Sequence, residues 1–132
     1  MKKNLYLNIF LIFIFLFLPN LAFSKKIPNL IGKWEGENIK SSIKKGFVKS
    51  RNIVEITEQQ NRLFKGFVIH KNGKEEFVGV IKSDLKAFYW ADSSDDDGKV
   101  IGTIINKKKI ETCYLDSGRD AIAGCSILKK IK

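Results

Sequence analysis

Proline is absent beyond Pro28, histidine occurs once, as His70, and cysteine twice, as Cys113 and Cys125. Without internal prolines, nothing in the chemistry of residues 29–132 forbids strand ladders. Two cysteines and one histidine cannot complete a tetrahedral structural zinc site, so no metal is expected. A lone histidine with no serine or cysteine placed beside it by sequence offers no nucleophile–base pair. The carboxylates Glu55, Glu58, Glu75 and Glu76 form no recognisable acid/base pair, and glycoside hydrolysis needs two at a defined separation. The acidic stretch Asp92–Gly98 fails the calcium-loop pattern, because the sixth position, which must be glycine, is Asp97. It reads as a solvated hairpin loop. The chain is therefore expected not to be an enzyme and to use no cofactor.

A long apolar run occurs only once. Met1–Asn4 is a short basic head, Leu5–Leu18 is almost wholly Ile, Leu and Phe, and Pro19-Asn20 ends the run. The small residues Ala22 and Ser24 then fit a signal-peptidase site. The run falls short of the roughly 20 apolar residues of a spanning helix. No cysteine sits just after these small residues, so a lipoprotein is not expected. Residues 1–24 are expected to be a cleaved signal peptide and residues 25–132 a single domain, secreted or periplasmic, with no stable membrane insertion. An exported pair of cysteines reads as a disulfide, Cys113–Cys125.

The formal net charge is +10, and it falls by the charges of Lys2 and Lys3 to +8 without the leader. Such a balance suits nucleic acid, an anionic envelope surface or an acidic partner. The lysines are spread along a chain rich in Lys, Ile and Asn throughout, which speaks for compositional bias, and no nucleic-acid partner is expected.

What remains is a series of short β-branched and aromatic runs separated by polar turns. They predict eight strands near 30–37, 46–57, 62–70, 75–82, 85–91, 98–106, 109–115 and 121–129. Turn chemistry at Asn72-Gly73, Asp97-Gly98 and Ser117-Gly118 suits tight corners. Short connections force antiparallel neighbours. An apolar residue, any residue, then glycine recurs at Trp34–Gly36, Phe64–Gly66, Phe77–Gly79, Val100–Gly102 and Ile122–Gly124. Residues two apart share a face, so each unit sets a large side chain beside bare backbone. Glycine kinks coil a sheet towards closure. The expected fold is all-β, an eight-stranded antiparallel up-and-down (meander) barrel, with an open two-sheet sandwich as the rival.

Sending Lys33, Glu35 and Glu37 outward puts Trp34, Phe64, Val68, Phe77, Ile81, Phe88, Trp90, Val100, Ile104, Thr112, Tyr114, Ile122 and Leu128 inside. Cys113 and Cys125 then point outward and staple the last hairpin. Leu63, Phe67, Ile69 and Tyr89 also face out, an apolar surface that suits a homodimer contact.

Gly32-Lys33-Trp34, together with the meander pattern, resembles the Gly-x-Trp opening of the calycin group, the lipocalins and avidins. The resemblance implies that Trp34 closes one end of the barrel and packs on a basic residue of the last strand, Lys129 or Lys130. It further implies non-catalytic binding of a small, mostly apolar ligand or of a protein partner. The expected ligand-facing residues are Trp34, Phe64, His70, Phe77, Phe88, Trp90, Tyr114 and Ser126, with Thr112 among the polar contacts. The alternative is a solid barrel acting through its outer surface as an interaction module or inhibitor.

Overall fold

A computed structural model of the chain describes residues 25–71, 73–93 and 98–132. The expected leader, Asn72 and most of the acidic loop lie outside the described residues. Eight strands follow one another: β1 (Gly32–Ser42), β2 (Gly46–Gln60), β3 (Leu63–His70), β4 (Gly73–Ile81), β5 (Ala87–Asp92), β6 (Lys99–Asn106), β7 (Lys109–Asp116) and β8 (Ile122–Lys130). Each pairs antiparallel with the next, and β8 returns to β1, closing the barrel. Closure removes the exposed edges that an open sheet would carry. The meander barrel expected from the sequence is thus the fold, and the sandwich is not.

The strand limits differ most at β1 and β2, which extend to Ser42 and Gln60. Beyond Glu37 the inward positions of β1 are Asn38, Lys40 and Ser42, so apolar alternation stops although the ladder continues. The β1–β2 turn relies on Gly46, whose φ of 67° is left-handed and favours a residue without Cβ. A bulge between Ile56 and Glu58 shifts the β2–β3 register.

The glycine repeat works across strands. Phe64 of β3 pairs with Gly79 of β4, and Phe88 of β5 with Gly102 of β6. In each pair the ring lies where the glycine's side chain would be, so a Cβ would overlap it. Tyr114 covers Gly98 in the same way. At Gly36 and Gly66 the neighbouring backbone itself fills that space, which draws adjacent strands together.

The rings form one connected cluster. Phe64 meets Phe77 and Phe88 edge-on at 6.1 and 5.6 Å, and Trp90 stacks on Phe77 at 4.4 Å and on Phe88 at 5.7 Å. Such pairs add about 0.5–1.5 kcal/mol each beyond area burial. Val54, Ile56 and Ile110 complete the core. These three carry no glycine repeat, and sequence reading did not assign them.

One end of the barrel is plugged. The segment before β1 folds under it and buries Leu30. Gln59 holds that segment: its Oε1 accepts the Leu30 N–H at 2.8 Å, and its Nε2 donates to the Pro28 and Asn61 carbonyls at 2.8 and 2.9 Å. Trp34 is fully buried there and donates its indole N–H to the Leu30 carbonyl at 2.9 Å. The Lys130 ammonium sits 5.3 Å from the Trp34 ring centre, so of the two lysines expected over this ring, Lys130 is the one that covers it.

Cys113 and Cys125 face each other across β7 and β8 and form a disulfide, with Cα atoms 4.1 Å apart. Outside, register links Leu63, Val80, Tyr89 and Ile101 in one transverse row, all exposed. Of the other outward residues expected, Phe67 and Ile69 are half-buried, and Lys74 extends over the Phe67 ring at 5.3 Å.

Candidate functional site

The end opposite Trp34 is open. There a cavity of about 280 Å³ enters the barrel, and each of the eight strands contributes to its wall. Its floor consists of the buried residues Trp90, Val100, Thr112 and Ser126. Above them stand Asn38 and Lys40 from β1, Asn52 from β2, Val68 from β3, Tyr114 from β7 and Ile122 from β8. His70, Glu75, Asp92 and Gly124 complete the lining, and the His70 side chain is about half exposed at the mouth.

The position of each residue follows from strand parity plus height. Inward positions near the plugged end carry large apolar groups and fill the lumen. Inward positions near the open end are mostly polar, and several are small, so the lumen is left unfilled. Asn52 Nδ2 donates to Ser126 Oγ at 3.1 Å, reaching from β2 to β8 across the inner face of β1. The two register partners on β1 are Gly36 and Asn38. His70 Nε2 and Glu75 Oε2 are 2.9 Å apart at the mouth.

Chemically, the cup offers an apolar wall of Trp90, Val100 and Val68 beside amide, hydroxyl, ammonium and carboxylate groups. Ser126 Oγ is engaged by Asn52 rather than by His70. The Trp90 Nε1–H is buried and has no hydrogen-bond partner among the described residues. Nor, among these residues, is any cluster of three or more His, Cys, Asp or Glu placed to hold a metal ion.

The expected ligand-facing residues divide between two places. His70, Trp90, Tyr114 and Ser126 line the cup, with Thr112. Trp34, Phe64, Phe77 and Phe88 lie in the packed interior below it. Asn38, Lys40 and Asn52 are lining residues that sequence reading missed. Their signal was polar residues continuing at the inward parity of β1 and β2. Larger grooves, up to about 680 Å³, run along the outer surface, but they lie open between side chains. The cup, walled on every side by strands, is the better-formed site.

Comparison with solved structures finds a redesigned β-barrel. It superposes with a TM-score of 0.50 at 12% identity, over 78% of this chain and 92% of that one. At that identity the likeness concerns the fold alone. No protein-family model matches the chain. No curated protein matches it either.

Proposed function

We propose that this is an exported, non-enzymatic binding protein, a calycin-like barrel whose open end holds one small ligand. The observation that carries the reading is the cup itself: one end of the lumen is packed and plugged, and the other is walled by all eight strands but unfilled. A volume of about 280 Å³ falls just below the roughly 300–1,000 Å³ common for small-molecule sites, so the ligand is small. The lining narrows the mostly apolar ligand expected from sequence to an amphipathic one. Its apolar part lies against Trp90 and Val100, and its polar part meets Asn38, Asn52 and Thr112. The Lys130–Trp34 contact and the Gly32-Lys33-Trp34 opening support the calycin-like assignment. The Cys113–Cys125 bond supports export to an oxidising compartment.

The test is native mass spectrometry of protein purified from the periplasm or medium of cells expressing the full chain. A reproducible non-covalent adduct is expected, and filling the cup with Ser126→Leu abolishes it. A clean unliganded mass for the unaltered protein in every preparation would refute the reading. The outer row Leu63–Val80–Tyr89–Ile101 supports the second reading, a barrel acting through its outer surface on a protein or on its own copy. That reading predicts concentration-dependent association that Tyr89→Lys removes.

A further inference from the structure

Between Glu37 and Glu55 the chain has no acidic residue, and residues 39–51 carry five cations: Lys40, Lys44, Lys45, Lys49 and Arg51. The fold turns this stretch into the β1–β2 hairpin, at the open end of the barrel. The first seven residues of β2, from Gly46 to Asn52, pair with β1 alone, because β3 begins to pair only at Ile53. On its other side β1 stays paired with β8 as far as Ser42, and the Ile43 N–H donates to the Ala121 carbonyl at 3.1 Å, so the hairpin projects past β3 and stands beside the β7–β8 turn. Its tip holds Ile43, 72% exposed, and Phe47, 93% exposed. Phe47 is the most exposed large apolar side chain among the described residues. Lys44, Lys45 and Lys49 surround the pair. Lys44 lies 3.7 Å from Asp120 and Lys49 3.4 Å from Glu37, with all four side chains mostly in water. Such exposed pairs are weak and give way readily to other anions.

We infer that this tip is a docking site for an anionic lipid bilayer. Two large apolar side chains at the apex of a basic hairpin match a surface that offers phosphate charge outside and hydrocarbon immediately beneath. Burial of apolar groups and attraction to anionic headgroups add, and single basic residues near such a surface each contribute favourably. Nucleic acid would satisfy the lysines and could stack on Phe47, but it offers Ile43 no apolar medium. A second copy would bring the same positive charge to the contact. Docking would also hold the open cup at headgroup level.

The experiment places a fluorescent reporter at the apex. Phe47→Trp is purified from cells expressing the full chain, so that any leader is retained or removed alike in every variant. It is titrated with phosphatidylglycerol vesicles and with phosphatidylcholine vesicles, each with and without brominated acyl chains. Emission of the unaltered protein under the same conditions is subtracted, which isolates the apical indole from Trp34 and Trp90. The expected result is a blue shift and bromine quenching of the apical emission with the anionic vesicles only, diminishing as salt is raised past about 0.5 M. Phe47→Ser, in the otherwise unaltered protein, is expected to weaken sedimentation with these vesicles by about tenfold or more. Equal binding to neutral vesicles overturns the inference. So does an apical indole that stays water-exposed and unquenched while the protein sediments with vesicles. So does tighter binding of a mixed-sequence single-stranded oligonucleotide, or a Phe47-dependent dimer without lipid.

Discussion

Gly102→Ala tests the ring-over-glycine packing that shapes this barrel. Gly102 is buried in β6 with a φ outside the left-handed region, so its backbone accepts alanine without strain. In an ordinary strand the change would gain about 0.5–1 kcal/mol, because glycine loses the most conformational entropy on folding. Here the new Cβ falls on the Phe88 ring. That ring is fully buried and cannot retreat, since Phe64 abuts it at 5.6 Å and Trp90 at 5.7 Å. Overpacking of this kind costs about 1–3 kcal/mol, so the steric term wins and the variant is destabilised. In a Phe88→Leu background the obstacle is smaller, and the same substitution should become neutral or slightly stabilising. Urea unfolding followed by tryptophan fluorescence gives all four corners of the cycle, with a coupling of about 1–3 kcal/mol expected for residues in direct contact. Equal costs of Gly102→Ala in both backgrounds would refute the reasoning, because the glycine would then not be there for the ring.

Three further outcomes follow from other parts of the barrel. Cys113→Ser, made together with Cys125→Ser, opens a loop of sequence separation 12 and should cost about 2–4 kcal/mol, read as a lower melting temperature under non-reducing conditions. Gln59→Ala removes the ties to Leu30, Pro28 and Asn61 and should cost about 1–2 kcal/mol. Amide exchange at Leu30 should accelerate well before exchange in β3–β5, and unchanged protection there would count against the plug. Asp84 is held below its usual pKa, chiefly because it accepts the Lys86 backbone N–H, 2.9 Å away. A depressed folded-state pKa contributes stability above the unfolded value and loses it as pH falls through the folded one. The stability gap between the unaltered protein and Asp84→Ala should therefore be level near neutrality and close below about pH 4; a gap that persists at about pH 2 would sink the argument.

Much of the fold was legible because the repeat of apolar residue, spacer and glycine carries both strand period and face. Runs and turns located β3 to β8 within two residues, and the repeat, present on β1, β3, β4, β6 and β8, fixed the inward face, so that parity sent Phe64, Phe77, Phe88 and Trp90 inside. The repeat was silent on β2, which has no such unit, and so Val54 and Ile56 went unassigned. Parity also says nothing about height along the barrel. Trp34 and Trp90 share an inward parity, yet one is sealed under the plug and the other meets the cup. The polar residues Asn38, Lys40 and Ser42 hid the second half of β1 because they break apolar alternation. Asn38 and Lys40 do so because they wall the cup. The weak strand signal and the candidate site have the same cause. The even spread of lysine over the whole chain likewise masked the local run in residues 39–51, of which the hairpin sets Lys44, Lys45 and Lys49 about its tip.

Closure of the barrel also dictates an order of events. The hairpin that carries Cys113 and Cys125 is local, so it can form and be stapled as soon as β8 is available. The seam between β1 and β8 joins Trp34 to Lys130, with the Lys33 N–H donating to the Lys132 carbonyl at 3.0 Å and the Ile131 N–H to the Lys33 carbonyl at 2.8 Å. Contacts so distant in sequence are slow to form. Until β8 emerges, β1 is an open edge with its basic hairpin attached, and the plug under Trp34 lacks Lys130. A chain that crosses a membrane amino-terminus first would therefore spend its passage with that edge unpaired, and the last strand to arrive is the one that completes the barrel.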